Sequence, residues 1–396
     1  MRFRLCPTPM QEQALTRHNA DARFVWNLAL EQRRLYRIRL RPAPGYVEQA
    51  RQLTEARADN PWLADGSVTV QQQALRDLDQ AFQNFFRGTH GYPTWRKREE
   101  NEGFRVVAVR PDHVRRLSRH KGVVLIPKIG EIKFRWSRDV PAGIASFRVN
   151  LDAVGRWHIA FAHIPATIEG PGTGEVVGLD RGVVVSVMTS EGEVFQTPSV
   201  RSKEVERLLR LQRRLVRAQR GSNRRHRIKR AIAVLRAHEV QRRKDWVEQT
   251  TTSLARRYDV LKVENLNMGA MTRSARGTLE APGRNVAQKA GLNRSILAQG
   301  WGLFLARLEH KARGRVRRVD PKYTSQRCSA CGHVASESRE SQAVFRCVAC
   351  GFSCNADLNA AINIAVGQTV TARGALRKQS RATNREPQRC LLSRVA

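Results

Sequence analysis

The sequence predicts an α+β protein of several domains. Its 396 residues exceed the roughly 100–200 residues typical of one domain, so two or three domains are expected. Apolar residues recur at helical spacing in the first hundred residues, whereas residues 103–165 are rich in Val, Ile and Phe between turn residues. Beyond residue 175, strands alternate with helices, which is typical of an α/β domain.

The N-terminal half is predicted to form helices followed by a small antiparallel barrel or sheet. The segment Thr8-Pro9-Met10-Gln11 has the pattern of a capping box with proline at the first helical position. A second helix is predicted over residues 68–86, because apolar side chains recur there at three- and four-residue steps, namely Leu75, Leu78, Phe82, Phe85 and Phe86. Strand-like segments follow up to Pro165, and Pro165–Gly174 has the composition of a linker.

The C-terminal half contains two apolar strands that end at Asp180 and Glu264. Between them, residues 201–250 hold 17 Lys and Arg against 5 Asp and Glu, with Leu and Ile at helical spacing. This pattern predicts a helical hairpin with an apolar seam and basic outer faces. One helix is predicted over residues 295–313 and another over 356–366, and the polar, basic stretch after Gly367 is predicted to be disordered.

The charge of the chain indicates a polyanionic partner. Lys and Arg number 71 against 35 Asp and Glu, a formal net charge of +36. Such an excess repels itself unless a polyanion neutralises it, so we expect nucleic acid to bind. No apolar run reaches the roughly 18 residues needed to cross a bilayer, and the first residues lack the apolar core of a signal peptide. We therefore expect neither a membrane protein nor a secreted one.

Four of the seven cysteines form two Cys-x2-Cys pairs, which are Cys328 with Cys331 and Cys347 with Cys350. The spacing is that of a zinc ribbon, in which each pair presents two thiolates to one Zn²⁺ at roughly 2.3 Å. Four thiolates leave no open coordination position, so the zinc would be structural. Close pairs of this kind are typical of a reducing cytosol, whereas disulfides would be spread along the chain.

Three carboxylates lie where a two-metal nuclease site would need them. Asp180 and Glu264 each close an apolar strand, and Asp357 opens the last helix. Singly, Asp180 could begin a turn, Glu264 could end a strand at the surface, and Asp357 could favour its helix N-terminus. Together, their order predicts an RNase H-like fold, in which a central sheet brings three acids to one edge. Carboxylate oxygens suit Mg²⁺, and two such ions can stabilise the attacking and leaving oxygens of a phosphodiester.

Several segments of the sequence carry a recognisable pattern. They are GLDRGV around Asp180, VENL around Glu264, and the set VDPKYTSQRCSACG, CVACG and NADLNAAINI within residues 319–364, with FRLCPTPMQEQAL and QQALRDLDQAFQNFFRGTHGYP near the N-terminus. Together they resemble the OrfB/TnpB family of transposon-encoded RNA-guided nucleases, which are related to the type V CRISPR effectors. The resemblance spans roughly residues 1–366, and the motif from Asp320 to Ile364 is its most diagnostic part.

The resemblance implies a domain layout and a set of site residues. A wedge-like β-barrel would occupy residues 1–170 with a helical recognition insertion at about 8–100. A RuvC-like nuclease domain would follow at 175–367, with a zinc-ribbon insertion at 322–354 and a basic tail at 368–396. Asp180, Glu264 and Asp357 would be the catalytic acids that hold two Mg²⁺ ions, and the four cysteines would hold Zn²⁺. Cys354 and His333 follow the cysteine pairs closely enough in sequence to be alternative zinc ligands, but we expect both to be bystanders, and Cys354 is a departure from the family pattern.

The resemblance also implies an activity and its partners. The expected function is that of an RNA-guided DNA endonuclease encoded by a transposable element, DNA-associated in a prokaryotic cytoplasm. Its partners would be a guide RNA from the transposon end and target DNA. Two alternatives are an RNA-guided repressor that binds DNA without cleavage and a strand-transfer transposase. The intact triad of acids favours an enzyme over a repressor, and joined DNA products would distinguish a transposase.

Overall fold

The computed structural model describes residues 1–38, 43–98 and 102–367, without the side chains of residues 36–38. Two compact units form, one from Met1–Pro165 with Glu206–Ala237 and the other from Ala166–Val205 with the residues from His238 onward. The tail predicted at 368–396 lies outside the described residues. Within the described ranges, no helix combines the length and the apolar character needed to span a membrane.

The N-terminal helices of the first unit are α1 (Pro9–Ile38), α2 (Tyr46–Asp59), α3 (Pro61–Ala64) and α4 (Val68–Phe86). The capping box at the start of α1 is confirmed, because the Thr8 amide donates to Gln11 Oε1 at 3.0 Å and the Gln11 amide donates to Thr8 Oγ1 at 3.4 Å. Helix α2 is not predicted by the sequence, because only Gln49 and Leu53 of its 14 residues are buried.

The predicted apolar stripe of α4 is correct for Leu75, Leu78 and Phe82, which are buried, but wrong for Phe86, which is 77% exposed. Phe85 and Phe86 are consecutive residues, so their side chains leave the helix about 100° apart and cannot both face one core. The Phe86 ring instead stacks on Phe82, with centroids 6.1 Å apart.

The first unit also contains a seven-stranded antiparallel sheet. Its strands are β1 (Arg2–Cys6), β2 (Gly103–Val107), β3 (Val114–Ser118), β4 (Lys121–Ile126), β5 (Gly130–Arg135), β6 (Ser146–Leu151) and β7 (Trp157–Phe161), in the order β2-β6-β7-β1-β5-β4-β3. Strand β1 lies centrally, between β7 and β5, so that Phe3 packs against Phe134 and Phe161 in the core. The first residues of the chain therefore pair with strands that follow them by more than a hundred residues.

The second unit is built on a five-stranded mixed sheet. Its strands are β8 (Val176–Asp180), β9 (Val187–Thr189), β10 (Val194–Phe195), β11 (Val260–Glu264) and β12 (Val316–Val319), in the order β10-β9-β8-β11-β12. Strands β8, β9 and β10 are antiparallel, whereas β11 runs parallel to β8 and β12 runs parallel to β11. The predicted mixture of helices with more than one sheet is therefore confirmed.

The remaining helices are α5 (Ser202–Val216), α6 (Asn223–Arg257), α7 (Met268–Met271), α8 (Val286–Gln299), α9 (Trp301–Lys311) and α10 (Ala356–Val366), with a small hairpin of β13 (Val344–Arg346) and β14 (Ser353–Asn355). Helices α5 and α6 are the predicted hairpin, with Leu211 and Ile228 buried in its seam. The prediction of a single helix over 295–313 is wrong, because the segment is divided into α8 and α9 at Gly300. The φ of Gly300 is +71°, in the left-handed region, which ends α8.

Gly178 in β8 allows α10 to lie directly on the central sheet. A Cβ atom at this position would come closer than 3.0 Å to the backbone oxygen of Ala361 and the backbone nitrogen of Ala365. The facing residues of α10 are themselves small, since Ala360 and Ala361 are buried. The close approach fixes the start of α10 relative to the end of β8.

Gly178→Ala is therefore expected to destabilise the protein by about 3 kcal/mol or more, because backbone atoms cannot yield to an added methyl group as a side chain can. Thermal and urea unfolding would measure this. Gly302→Ala in α9 is the matched control, since nothing lies within 4 Å of its added Cβ, and it is expected to stabilise the helix by about 0.5–1 kcal/mol. Equal stability of the two variants would show that the close packing of α10 on β8 is mistaken.

Candidate functional site

Asp180 and Glu264 lie at the carboxyl ends of two adjacent parallel strands. Strand β11 pairs with β8 in a register that sets Val263 opposite Leu179. The next residues along the two strands, Glu264 and Asp180, therefore reach the same end of the sheet and share a face. Val263 and Leu179 are fully buried, so the apolar core fixes the register that aligns the two acids.

Asp357 reaches this end of the sheet from the first turn of α10. The side chain of Asn355 caps the helix by accepting hydrogen bonds from the amides of Asp357 at 2.9 Å and Leu358 at 3.1 Å. Because α10 lies on β8 at Gly178, its N-terminus comes close to Asp180. The structure thus brings together the three acids that the sequence singled out.

Burial makes all three carboxyl groups difficult to ionise, and the other two acids add to this effect at Asp180. Burial, followed by the charges of Glu264 and Asp357, raises the pKa of Asp180 from 3.8 to about 7. Burial also raises the pKa of Glu264 and the pKa of Asp357. The raised pKa values show that the protein places too little positive charge around these acids to offset their ionisation. A bound divalent cation would supply that charge.

Three polar neighbours that sequence reasoning missed surround the acids. The Thr324 hydroxyl donates to Glu264 Oε1 at 2.5 Å. The buried guanidinium of Arg181 donates to the backbone oxygen of Glu264 at 2.6 Å. Arg339 Nη2 lies 3.5 Å from Asp357 Oδ1, and its charge also lowers the pKa of Asp180 and the pKa of Glu264. Arg181 follows Asp180 in the GLDRGV segment and Thr324 lies in the VDPKYTSQRC segment, whereas no sequence pattern marks Arg339.

The crowding of the acids predicts that Asp180→Asn stabilises the metal-free protein in a pH-dependent way. The folded-state pKa of Asp180 lies above its ordinary value of 3.8, so its ionisation costs free energy only in the folded protein. This cost is absent below about pH 4, grows up to about pH 7 and is complete above it. One pKa unit corresponds to about 1.36 kcal/mol, which limits the cost to about 4 kcal/mol.

Melting curves would be recorded in a buffer that contains neither Mg²⁺ nor a chelator. At pH 8 the melting temperature of Asp180→Asn is expected to be several degrees above that of the unaltered protein, since each kcal/mol corresponds to roughly 2–4 °C. The two proteins are expected to melt together near pH 4. A variant less stable than the unaltered protein at pH 8 would contradict the raised pKa of Asp180.

The sulfur atoms of Cys328, Cys331, Cys347 and Cys350 all lie within 4.8 Å of one another. Cys328 Sγ is 3.8 Å from Cys350 Sγ, and Cys331 Sγ is 3.6 Å from Cys347 Sγ. A disulfide would need about 2.05 Å, whereas the edges of a tetrahedron with Zn–S bonds of roughly 2.3 Å measure about 3.8 Å. The donor set and its spacing therefore fit a tetrahedral zinc ion.

The two Cys-x2-Cys turns are equivalent in their backbone geometry. The Gly332 amide donates to the Cys328 oxygen at 2.9 Å, and the Gly351 amide donates to the Cys347 oxygen at 2.9 Å. Both glycines have left-handed backbones, with φ of +78° and +74°. The backbone amide of Cys350 lowers the pKa of the Cys347 thiol to about 6, whereas the neighbouring thiols raise the pKa of Cys350 to about 12, so Cys347 is the first of this pair to ionise.

Cys354 and His333 do not belong to this group of four thiols. Cys354 lies on β14 opposite Phe345, and its partial burial, together with Cys328, raises the pKa of its thiol. His333 offers its backbone oxygen to the Cys328 amide at 2.8 Å. Among the residues that the structure describes, no second group of metal-binding side chains meets the 4.8 Å spacing, so the three acids are farther apart than the thiols.

Two asparagines of α10 tie the first Cys-x2-Cys turn to the helix that carries Asp357. Asn359 accepts from the Ser329 amide at 2.9 Å and donates to the Arg327 oxygen at 2.8 Å. Asn363 donates to the backbone oxygens of Thr324 at 2.9 Å and Arg327 at 2.6 Å. The segment that supplies Thr324 to Glu264 is thereby held between the thiol cluster and the acid site.

Comparisons with known proteins agree on one family. An OrfB family model described as "Probable transposase" matches residues 162–275, a helix-turn-helix model of the same OrfB group matches residues 1–39, and a Cas12f1-like TNB domain matches residues 301–364. An Escherichia coli (strain K12) protein described as "Putative RNA-guided DNA endonuclease InsQ" is 36% identical over 394 residues, which are 98% of this chain and 96% of that protein. The chain belongs to the OrfB/TnpB family.

Further relatives of this OrfB/TnpB protein extend the comparison. A Streptomyces pristinaespiralis protein described as "Putative RNA-guided DNA endonuclease" is 28% identical over 407 residues, covering 98% of this chain and 96% of that protein. A solved Cas12f1–sgRNA–target DNA complex matches with a TM-score of 0.56 and 15% identity, covering 89% of this chain and 82% of that chain. The likeness shows that the OrfB/TnpB protein shares its mixed α/β fold with Cas12f1.

Proposed function

We propose that this chain is an RNA-guided DNA endonuclease encoded by a transposable element. The observation that carries the proposal is the convergence of Asp180, Glu264 and Asp357, buried or partly buried carboxylates whose pKa values are raised by their surroundings. Perturbed acids that share one site are typical of catalytic centres. The similarity to InsQ over nearly the whole of both proteins supports the same activity.

The strand order of the second unit supports an RNase H-like, RuvC-type nuclease domain at 175–367. Three antiparallel strands, β8 to β10, are extended by the parallel strands β11 and β12, with α10 packed on β8. The four thiols support a zinc ribbon inserted at 322–354. The first unit would comprise the wedge-like barrel and, at about 8–100, its helical recognition insertion.

Asp180, Glu264 and Asp357 would hold Mg²⁺, for which carboxylate oxygens are the preferred ligands. When two ions are bound, they supply positive charge to the attacking and leaving oxygens of the phosphodiester. The surrounding residues orient the acids. Thr324 fixes the carboxylate of Glu264, and Arg181 fixes the backbone at the end of β11. The charge of Arg339 favours the ionised form of all three acids, and its guanidinium would contact the phosphate of a bound strand.

The partners would be a guide RNA from the transposon end and a target DNA. The net charge of +36 is suited to two long polyanions. Sequence would then be recognised by pairing between the guide and the target, while the protein contacts the backbones. A prokaryotic cytoplasm follows from this proposal, as the compartment in which such an element acts.

The proposal is tested by purifying the protein, sequencing the RNA bound to it, and supplying a matched target DNA with Mg²⁺. We expect one specific RNA and cleavage of the matched DNA, with no cleavage of a DNA in which the guide-complementary segment is scrambled. Specific binding without cleavage would favour the repressor, joined DNA products would favour the transposase, and the absence of any specific RNA would refute RNA guidance.

A further inference from the structure

The solvent face of the seven-stranded sheet is strongly basic. Pairing aligns Arg105 of β2 with Arg148 of β6, then with Ala160 of β7 and Arg2 of β1. The neighbouring row, one residue along each strand, consists of Phe104, Val149, Ile159 and Phe3, which are all buried. Since side chains alternate along a strand, Arg105, Arg148 and Arg2 share the face opposite the core. Arg105 and Arg148 are therefore neighbours on the outside of the sheet, and Ala160 separates them from Arg2 in the same row.

Arg105 and Arg148 are directly opposite each other on adjacent antiparallel strands. Like charges at such positions destabilise a sheet, so the pairing gives the fold no stability by itself. Both side chains remain accessible, at 43% and 45% exposure. An arrangement that costs stability and stays open to solvent is typical of a binding surface.

A third guanidinium and a single carboxylate complete the cluster. Asp77 of α4 accepts from Arg148 at 2.5 Å and lies 3.6 Å from Arg96 and 3.9 Å from Arg105. In the described part of the chain, Asp77 is the one acidic residue that forms ion pairs with these three arginines. Three positive charges against one negative charge leave a local excess of two.

Arg96 is held rigidly in this cluster. Its backbone nitrogen donates to Asn27 Oδ1 at 2.9 Å, and its backbone oxygen accepts from Asn27 Nδ2 at 3.0 Å. The guanidinium lies 4.0 Å from the centre of the Trp26 ring, and burial lowers the pKa of Arg96 to about 10, with Arg148 adding to the effect. Donors fixed before a ligand arrives lose less entropy on binding it.

We propose that Arg96, Arg105 and Arg148 form a phosphate-binding site for a nucleic-acid backbone. The tetrahedral, multiply hydrogen-bonding phosphate group matches several forked guanidinium donors, and its negative charge would offset the local excess. Asp77 offsets part of the repulsion among the guanidinium groups before the ligand binds. This proposal rests on the proposed function only where it concerns which strand binds, the guide RNA or the target DNA, because both offer the same phosphodiester group.

The test compares Arg105→Gln/Arg148→Gln with the control Arg51→Gln/Arg115→Gln. The control removes the same charge from exposed side chains of the same unit that are already paired with Glu48, Glu55 and Glu131. Fluorescence anisotropy would measure binding of a single-stranded RNA, a single-stranded DNA of the same sequence and duplex DNA, at several salt concentrations. Melting curves and the single variant Arg105→Gln show whether a loss reflects misfolding.

We expect the site variant to lose about tenfold or more in affinity relative to the control, since hydrogen bonds between charged groups are stronger than those between neutral groups. The slope of log affinity against log salt concentration should decrease in magnitude by about 1–2, because each lost phosphate contact contributes about 0.7–0.9 to that slope. A loss confined to RNA would identify the guide backbone, and a loss confined to DNA would identify the target backbone. Asp77→Asn should bind as tightly as the unaltered protein or more tightly, because it adds net positive charge.

The site is refuted if the variant and the control bind equally in all three assays, or if Asp77→Asn loses as much affinity as the arginine variant. These outcomes are separate from failure of the proposed function. An unaltered protein that binds nucleic acid but cuts no guided target refutes the function alone, whereas equal affinities of variant and control refute only the site.

Discussion

Asp180→Asn is expected to lower guided DNA cleavage by about 10³-fold or more while leaving the bound RNA unchanged. The amide has the shape of the carboxylate but lacks its charge, so the site loses a ligand that hard cations require. The stabilisation that metal ions give a phosphoryl transition state amounts to several kcal/mol, and each 1.36 kcal/mol is tenfold in rate. Single-turnover cleavage of a matched DNA and the amount of RNA that copurifies would measure the two effects.

Asp245→Asn is the matched control, because it removes the same charge from an exposed position on α6 of the same unit. It should cleave at the rate of the unaltered protein. Glu264→Gln and Asp357→Asn should resemble Asp180→Asn, since the three acids act as one site. Cleavage by Asp180→Asn at the rate of the control would remove Asp180 from the catalytic centre, and loss of bound RNA would mean that the substitution acts through folding.

The predicted higher stability of Asp180→Asn gives this result a second, independent readout. A residue retained although it destabilises the metal-free fold is more readily explained by function than by packing. A variant that melts at a higher temperature and yet fails to cleave cannot owe its inactivity to unfolding. The two measurements together therefore separate a catalytic acid from a structural one.

Local sequence signals were sufficient for the elements that position the acids. Helix α10 has the predicted bounds, 356–366, because Asn355 caps its start and Gly367 follows its end. The strand that ends at Asp180 was predicted from an apolar run whose middle three residues are all buried, and the strand that ends at Glu264 was predicted around Leu261 and Val263, which are both buried. The sulfur atoms of the two Cys-x2-Cys pairs converge as their spacing predicted.

Features that depend on distant parts of the chain could not be predicted. Strand β1 has only five residues and pairs with strands that follow it by about 130 and 160 positions, so no local pattern reveals it. The approach of Arg339 to the acids depends on how the segment between the two Cys-x2-Cys turns folds back onto α10. The role of Thr324 depends likewise on the asparagine contacts that hold its segment against that helix.

Cys347→Ser is expected to release the zinc and to lower cleavage by about 10–100-fold, although Cys347 does not belong to the acid site. Structural zinc contributes folding free energy directly, so its loss should release the segment between the two Cys-x2-Cys turns. That segment supplies Arg339 to Asp357 and is joined to the loop that supplies Thr324 to Glu264. Partners that orient metal ligands typically contribute 10–100-fold to affinity or activity.

Cys354→Ser provides a matched control in the same small domain, because Cys354 lies outside the group of four sulfur atoms. Metal analysis should find one zinc per chain in Cys354→Ser and in the unaltered protein, and none in Cys347→Ser. Hydrogen exchange should increase over residues 322–355 in Cys347→Ser while the strands that end at Asp180 and Glu264 stay protected, which locates the damage in the zinc ribbon. Zinc retained by Cys347→Ser, or lost equally from Cys354→Ser, would refute the assignment of the four ligands. Full cleavage by a zinc-free protein would instead show that the acid site does not depend on the zinc ribbon, since Thr324 and Arg339 would then reach the acids without bound zinc.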